Sequence, residues 1–187
     1  MSRRARWMLW GCVLSCAAAA IVLHDPREKW PRRLLLFGPF LELGAEVQWL
    51  RFQSAQHAGD EARALELAES ALRLDPVSTE GWATLASHLG LDLASPEREP
   101  DLERRRMWFR SALSVLRRGG ESARDPAELE LQRGLLLLGK AEVDPELDPH
   151  GAPALFAAAA EAFTHASTLG ARDADGLARY SAERARQ

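Results

Sequence analysis

The alternation of apolar and polar positions divides the chain into three parts. Trp7 to Leu23 is an uninterrupted uncharged run of 17 residues. As a helix it extends roughly 26 Å, at the short end of what crosses a bilayer core. His24 to Arg33 is polar and carries Pro26 and Pro31, the pattern of a linker. Leu34 to Gly44 (LLLFGPFLELG) is apolar again but too short to span. It predicts a hydrophobic lead-in that lies on a membrane or packs on the first helix.

From Ala45 onward, apolar residues recur at three- and four-residue steps, and Ala, Leu, Glu, Arg and Gln dominate. Strand-like alternation does not persist. Helices are expected at about 44–58, 60–74, 78–91, 101–117, 127–139, 154–169 and 175–185. Asp60-Glu61 places acids in a first turn, where the helix dipole favours them. Leu65, Ala68, Ala71 and Leu72 then define one apolar face. Asp75-Pro76 stops that helix, because proline disfavours helical geometry in the residue before it. Ser78 is placed to cap the next helix, whose expected buried stripe is Trp82, Leu85, Ala86 and Leu89. The polar stretches Gly90–Pro100 and Ala141–Pro153 read as loops. The expected domains are therefore 1–23 as signal anchor or signal peptide, 24–44 as linker and lead-in, and 45–187 as a helical repeat domain.

The segment Gly59 to Leu89, GDEARALELAESALRLDPVSTEGWATLASHL, resembles the tetratricopeptide repeat family, whose period is about 34 residues. Gly59-Asp60 matches the turn between helices. Ala64, Leu65, Ala71, Leu72 and Asp75-Pro76 match the second helix and its stop. Trp82, Leu85, Ala86 and Leu89 match the first helix of the next repeat. The expected repeat-packing set is Ala64, Leu65, Ala71, Pro76, Trp82, Leu85, Ala86 and Leu89. Outside this segment the match loosens. Trp49 is one position late and Phe52 occupies a usually small site. Phe109, Ala112 and Leu113, then Ala159, Phe163 and Ala166, keep family-like spacing. The polar end at 175–187 suits a capping helix. The resemblance implies an all-α solenoid of about three antiparallel helix pairs, behind an N-terminal transmembrane or signal helix. Anchor, linker and divergent repeats together also resemble envelope proteins of high-GC bacteria.

In the resembled family a groove lined by the first helix of each repeat binds peptides. The matching positions here are Trp49, Gln53, Gln56, His57, Glu80, Ala83 and Ser87. The resemblance thus implies a non-catalytic, membrane-tethered scaffold with a protein partner. The alternatives are a structural subunit that self-associates and, behind it, a metal-dependent module using the acidic loop 144–150.

Composition narrows the remaining classes. Of 187 residues, 47% are hydrophobic and 27% charged, enough apolar matter for a core. Three of the 24 basic residues (Arg3, Arg4 and Arg6) precede the first apolar run, leaving 21 basic against 27 acidic groups beyond it. A net acidic body is poor material for nucleic acid. The triplet Arg104-Arg105-Arg106 and the doublets Arg32-Arg33 and Arg117-Arg118 sit beside acids and read as solvated helix faces. The three early arginines predict a cytoplasmic N-terminus, with the body on the periplasmic side of a bacterial inner membrane. Cleavage near Ala17-Ala18-Ala19 would export the body instead, and Val13-Leu14-Ser15-Cys16 loosely matches a lipobox. Cys12 and Cys16 are the only cysteines, so the body contains none.

No phosphate loop, nucleophile elbow, His-Glu-x-x-His or Cys-x-x-Cys pattern occurs, and neither catalytic residue nor cofactor is expected. His57 and His88 read as surface residues at helix ends. Glu128 and Glu130 fall on opposite sides of a helix, which excludes an acid–base dyad. Trp108 and Phe109 read as packing. Asp144, Glu146, Asp148 and His150 are the one oxygen-rich candidate for a hard cation. Pro145 and Pro149 stiffen that loop, and the glycine and terminal glutamate of a calcium loop are absent. No metal is expected.

Overall fold

Helix ends are set by local signals. Asp60, Asp101 and Asp125 each accept a hydrogen bond from the backbone N–H three residues on, at 2.9–3.1 Å. Ser78 Oγ does the same for Gly81, at 3.0 Å. In the computed structural model, which describes residues 38–187, these caps open four of seven α-helices. The helices are α1 Gly38–Ala58, α2 Glu61–Leu74, α3 Thr79–Ser87, α4 Leu102–Gly120, α5 Pro126–Val143, α6 Ala152–Thr168 and α7 Ala174–Arg184. No strand occurs among the described residues, so this part of the chain is all-α. The N-terminal apolar run, the linker and Leu34–Phe37 lie outside the described residues. No described helix is long and apolar enough to cross a membrane.

The chain divides into two compact units at Asp75/Pro76, inside the segment that carries the repeat resemblance. In the first, α1 packs on α2. Gly59 turns the chain at φ +72°, a conformation that L side chains resist. Asp60 N–H donates to Ala55 O and Gly59 N–H to Gln56 O, both at 3.0 Å, so orphan carbonyls of α1 are satisfied. Ala64, Leu67, Ala68, Ala71 and Leu72 of α2 are buried, as are Ala45, Phe52 and Ala55 of α1. Leu65 is only half-buried.

α1 begins at Gly38 rather than near Gly44. A proline in the first turn loses no intrahelical hydrogen bond, so Gly38-Pro39 starts the helix. Residues 38–44 of the expected lead-in are thus its first turns.

In the second unit, α3 packs on α4 and α5, α4 on α5, α5 on α6, and α6 on α7. Its core includes Leu85, Ala86, Leu89, Phe109, Leu116, Leu129, Phe156 and Phe163. Trp82 is half-buried. Its Nε1–H donates to Pro76 O at 2.9 Å, and Arg118 stacks 6.0 Å from its ring centroid.

The expected polar loop at 90–100 is corrected at its start. α3 continues as a π-helical turn, His88–Leu93, closed by Ala94 N–H donating to Leu89 O at 3.0 Å. Gly90, Leu93 and Ala94 are buried there. A Cβ on Gly90 would stand 2.9 Å from Leu136 and 3.2 Å from Ala112. His88 is also buried, its Nδ1 3.0 Å from Asp92 Oδ2, and not the surface residue expected. The second expected loop is shortened as well, because α5 runs to Val143 and a 3₁₀ turn spans Pro145–Leu147.

Candidate functional site

Two features of the second unit bring polar chemistry and concave surface together. The first is a groove of about 110 Å³ between α3 and α5. Ala83, Ala86 and Ser87 come from α3, Leu91 from the π-helical turn, Leu116 from α4, and Gln132, Leu135 and Leu136 from α5. Ala86, Leu116 and Leu136 are buried and form the floor. Leu91, 55% exposed, and Leu135, 40% exposed, stand at the rim. Gln132 Nε2 donates to Glu128 Oε1 at 2.8 Å, which fixes the amide beside the groove. A space of this size, mostly apolar, suits about one aliphatic side chain.

Two of the expected site residues, Ala83 and Ser87, line this groove. Glu80 is exposed one turn earlier on α3. The remaining four belong to α1 of the other unit. There Trp49 is half-buried and packs edge-on to Phe52, ring centroids 5.3 Å apart. Gln53 and His57 are exposed and Gln56 half-buried. His57 Nδ1 lies 2.7 Å from Gln53 O. Leu91, Gln132 and Leu135 were not anticipated from the sequence.

The second feature is a buried charge cluster. Arg105 Nε and Nη2 donate to Asp144 Oδ2 and Oδ1, at 3.1 and 3.4 Å. Arg105 Nη1 donates to Glu99 O and Pro100 O, at 3.4 and 3.2 Å. Lys140 Nζ, in the last turn of α5 and four residues before its C-cap Asp144, donates to Ala94 O at 2.8 Å. All three side chains are buried. Burial lowers the Lys140 pKa from its ordinary 10.5; Asp144 pulls it back up, Arg105 pushes it further down, and Glu97 raises it. The reading of the Arg104–Arg106 triplet as a solvated face is therefore corrected at Arg105, while Arg104 is exposed as expected. Arg105 points inward because a carboxylate waits for it 39 residues away.

This pairing also describes the candidate cation loop. Asp144 is engaged by Arg105, and Arg106 Nε and Nη2 donate to Glu146 O at 3.0 and 2.7 Å. Asp148 accepts a hydrogen bond from His150 N–H at 2.8 Å. Glu146 and His150 are exposed. Among the described residues, no group of three or more His, Cys, Asp or Glu side chains is arranged to hold a metal ion. Glu130 is buried beside Arg133, at 2.8 Å, and 3.5 Å from His165.

No family model, curated protein or solved structure matches the chain.

Proposed function

We propose that the chain is a membrane-tethered, tetratricopeptide-like scaffold that captures a peptide segment of a partner protein. The observation that carries this reading is the α3–α5 groove, which two of the family-matched positions, Ala83 and Ser87, help to line. α3 and α5 are the first helices of successive pairs, the elements that form the binding face in the resembled family. The ligand is a short segment with one aliphatic anchor, Leu or Ile, seated over Ala86 and Leu136. Ser87 and Gln132 supply hydrogen bonds beside it. One apolar anchor among polar contacts gives modest affinity, and tethering by the apolar run at 7–23 raises the local concentration at the membrane. The body stands on the periplasmic side of a bacterial inner membrane.

The test is selection of random displayed peptides on purified full-length protein. Peptides sharing one aliphatic anchor are expected, and Ala83→Arg should weaken them at least about tenfold, because it fills the groove with a charge. Trp49→Ala and Gln53→Ala test whether α1 contributes to capture. Enrichment indifferent to Ala83→Arg refutes the groove. Alkaline extraction of membranes tests the anchor separately: a chain released into the supernatant is not a membrane-spanning one.

A further inference from the structure

α1 has two apolar faces, and among the described residues its packing on α2 uses only one. Ala45, Phe52 and Ala55 are buried. On the opposite side, Phe40 is 64% exposed, Leu43 64%, Val47 46% and Leu50 63%. A single exposed leucine means little. These four follow one another at steps of three, four and three, which places them on one straight seam. In heptad terms Phe40 and Val47 take the a positions, and Leu43 and Leu50 the d positions. That assignment puts Glu46 at g and Arg51 at e, both exposed beside the seam.

The charges select the occupant. When two such helices pair in parallel and in register, each g residue faces the e residue five positions later on the other helix. Glu46 then meets Arg51 of the second copy, twice by symmetry. An antiparallel pair apposes g with g and e with e, setting Glu46 against Glu46 and Arg51 against Arg51. We infer that α1 is a self-association surface that takes α1 of a second copy of this chain, parallel and in register.

The area sets the strength. The four side chains expose on the order of 450 Å² per chain, so pairing buries about 900 Å² in all, below the roughly 1,200 Å² of a standard stable interface. Two heptads are also short for an autonomous coiled coil. The dimer is therefore weak in dilute solution and forms where copies are concentrated. This inference stands apart from the groove, and it needs the membrane anchor only for concentration.

The experiment uses the full chain in its native membrane, with Cys12→Ser and Cys16→Ser so that each introduced cysteine is the only one. Val47→Cys, on the seam, is compared with Glu69→Cys, which is exposed on α2. Mild oxidation should give a disulfide dimer from Val47→Cys and little from Glu69→Cys. Adding Glu46→Arg or Arg51→Glu should cut the yield about fivefold, and the two together should restore it. Equal yields from both cysteine positions, or no rescue by the double reversal, overturns the inference. So does a monomeric Val47→Cys chain whose thiol is shielded from a membrane-impermeant reagent, because the seam then lies on lipid. Pelleting of the same samples reads the anchor independently: dimer found in the supernatant refutes the anchor and keeps the pairing.

Discussion

Replacing Asp144 with Asn removes the carboxylate that two buried cations share. Arg105 and Asp144 are both buried and meet through a two-pronged contact, and Lys140 lies one helical turn away. Breaking a buried pair costs about 3–5 kcal/mol, because the remaining charge stays desolvated. The Asn amide still accepts one hydrogen bond, so about 3 kcal/mol is expected, with Asp144→Leu nearer the upper end. For a unit of this size, that lowers the melting temperature by roughly 10 °C or more. Urea unfolding in chelator-containing buffer measures it: the midpoint should fall while the slope stays the same. The double variant Arg105→Met/Asp144→Leu should recover most of the loss, since an apolar pair leaves no stranded charge. The pH profile supplies a second signature. The Lys140 pKa is lowered in the folded chain, so between that value and 10.5 the unfolded state binds more protons. Stability therefore rises with pH across this window, and the penalty is fully present below it. Without Asp144 the folded pKa falls further, and the rising part of the curve extends to lower pH. A loss under about 1 kcal/mol for Asp144→Asn, no larger than for Glu146→Gln or Asp148→Asn, would refute the argument.

Two glycines of α5 should respond to the same substitution with opposite signs. A Cβ on Gly134 would stand 2.5–2.9 Å from the ring of Phe163, which is fully buried, so Gly134→Ala should destabilise by about 1–3 kcal/mol. Gly139 has nothing within 4 Å of that position, and Gly139→Ala should stabilise by up to about 1 kcal/mol; thermal melting reads both. Trp82→Phe removes the hydrogen bond to Pro76 and the Arg118 contact, and should cost about 1–2 kcal/mol by urea midpoint. The chain has two lysines, Lys29 and Lys140. An amine-acylating reagent followed by peptide mass spectrometry should leave Lys140 unmodified in folded protein and label it in urea; ready labelling in the native state would contradict its burial.

Helix ends were legible where a residue caps or stops its own neighbour. Ser78 sits at an N-cap and Asp75 at a C-cap, as the sequence suggests, while Asp60, expected within the first turn, is itself the N-cap. The apolar stripe Leu85, Ala86 and Leu89 is buried, because three- and four-residue spacing encodes a single buried face directly. What the sequence concealed is polar and long-range. His88, Arg105, Lys140 and Asp144 look like surface residues, because nothing adjacent to them reports the partner. Asp144 lies 39 residues from Arg105, and Ala94 lies 46 from Lys140. The same distance hid half of the groove: Ala83 and Ser87 follow from the repeat resemblance, whereas Gln132 and Leu135 matter only because α5 packs beside α3. The seam on α1 went unread in the sequence, because Gly38-Pro39 made its first turns look like a separate segment.

The cluster and the groove share α5, and this ties the proposed binding surface to the buried charges. Gln132, Leu135 and Leu136 line the groove about one to two turns before Lys140 enters the cluster. Leu91, at the rim, sits on the π-helical turn that ends against Ala94, whose carbonyl accepts the Lys140 hydrogen bond. Arg105 holds the next stretch of that loop through Glu99 and Pro100. Both ends of the segment after Leu91 are thus fixed by cations that Asp144 balances. Removing the carboxylate loosens the rim while the floor, made by Ala86, Leu116 and Leu136, keeps its apolar packing. A loosened rim must be ordered again by each peptide that binds, and that entropy is charged to affinity. Asp144→Asn should therefore weaken peptide capture even at temperatures where the variant is still folded, although Asp144 lines no part of the groove. Unchanged affinity in a folded Asp144→Asn chain would mean that the rim is held by its own hydrogen bonds alone.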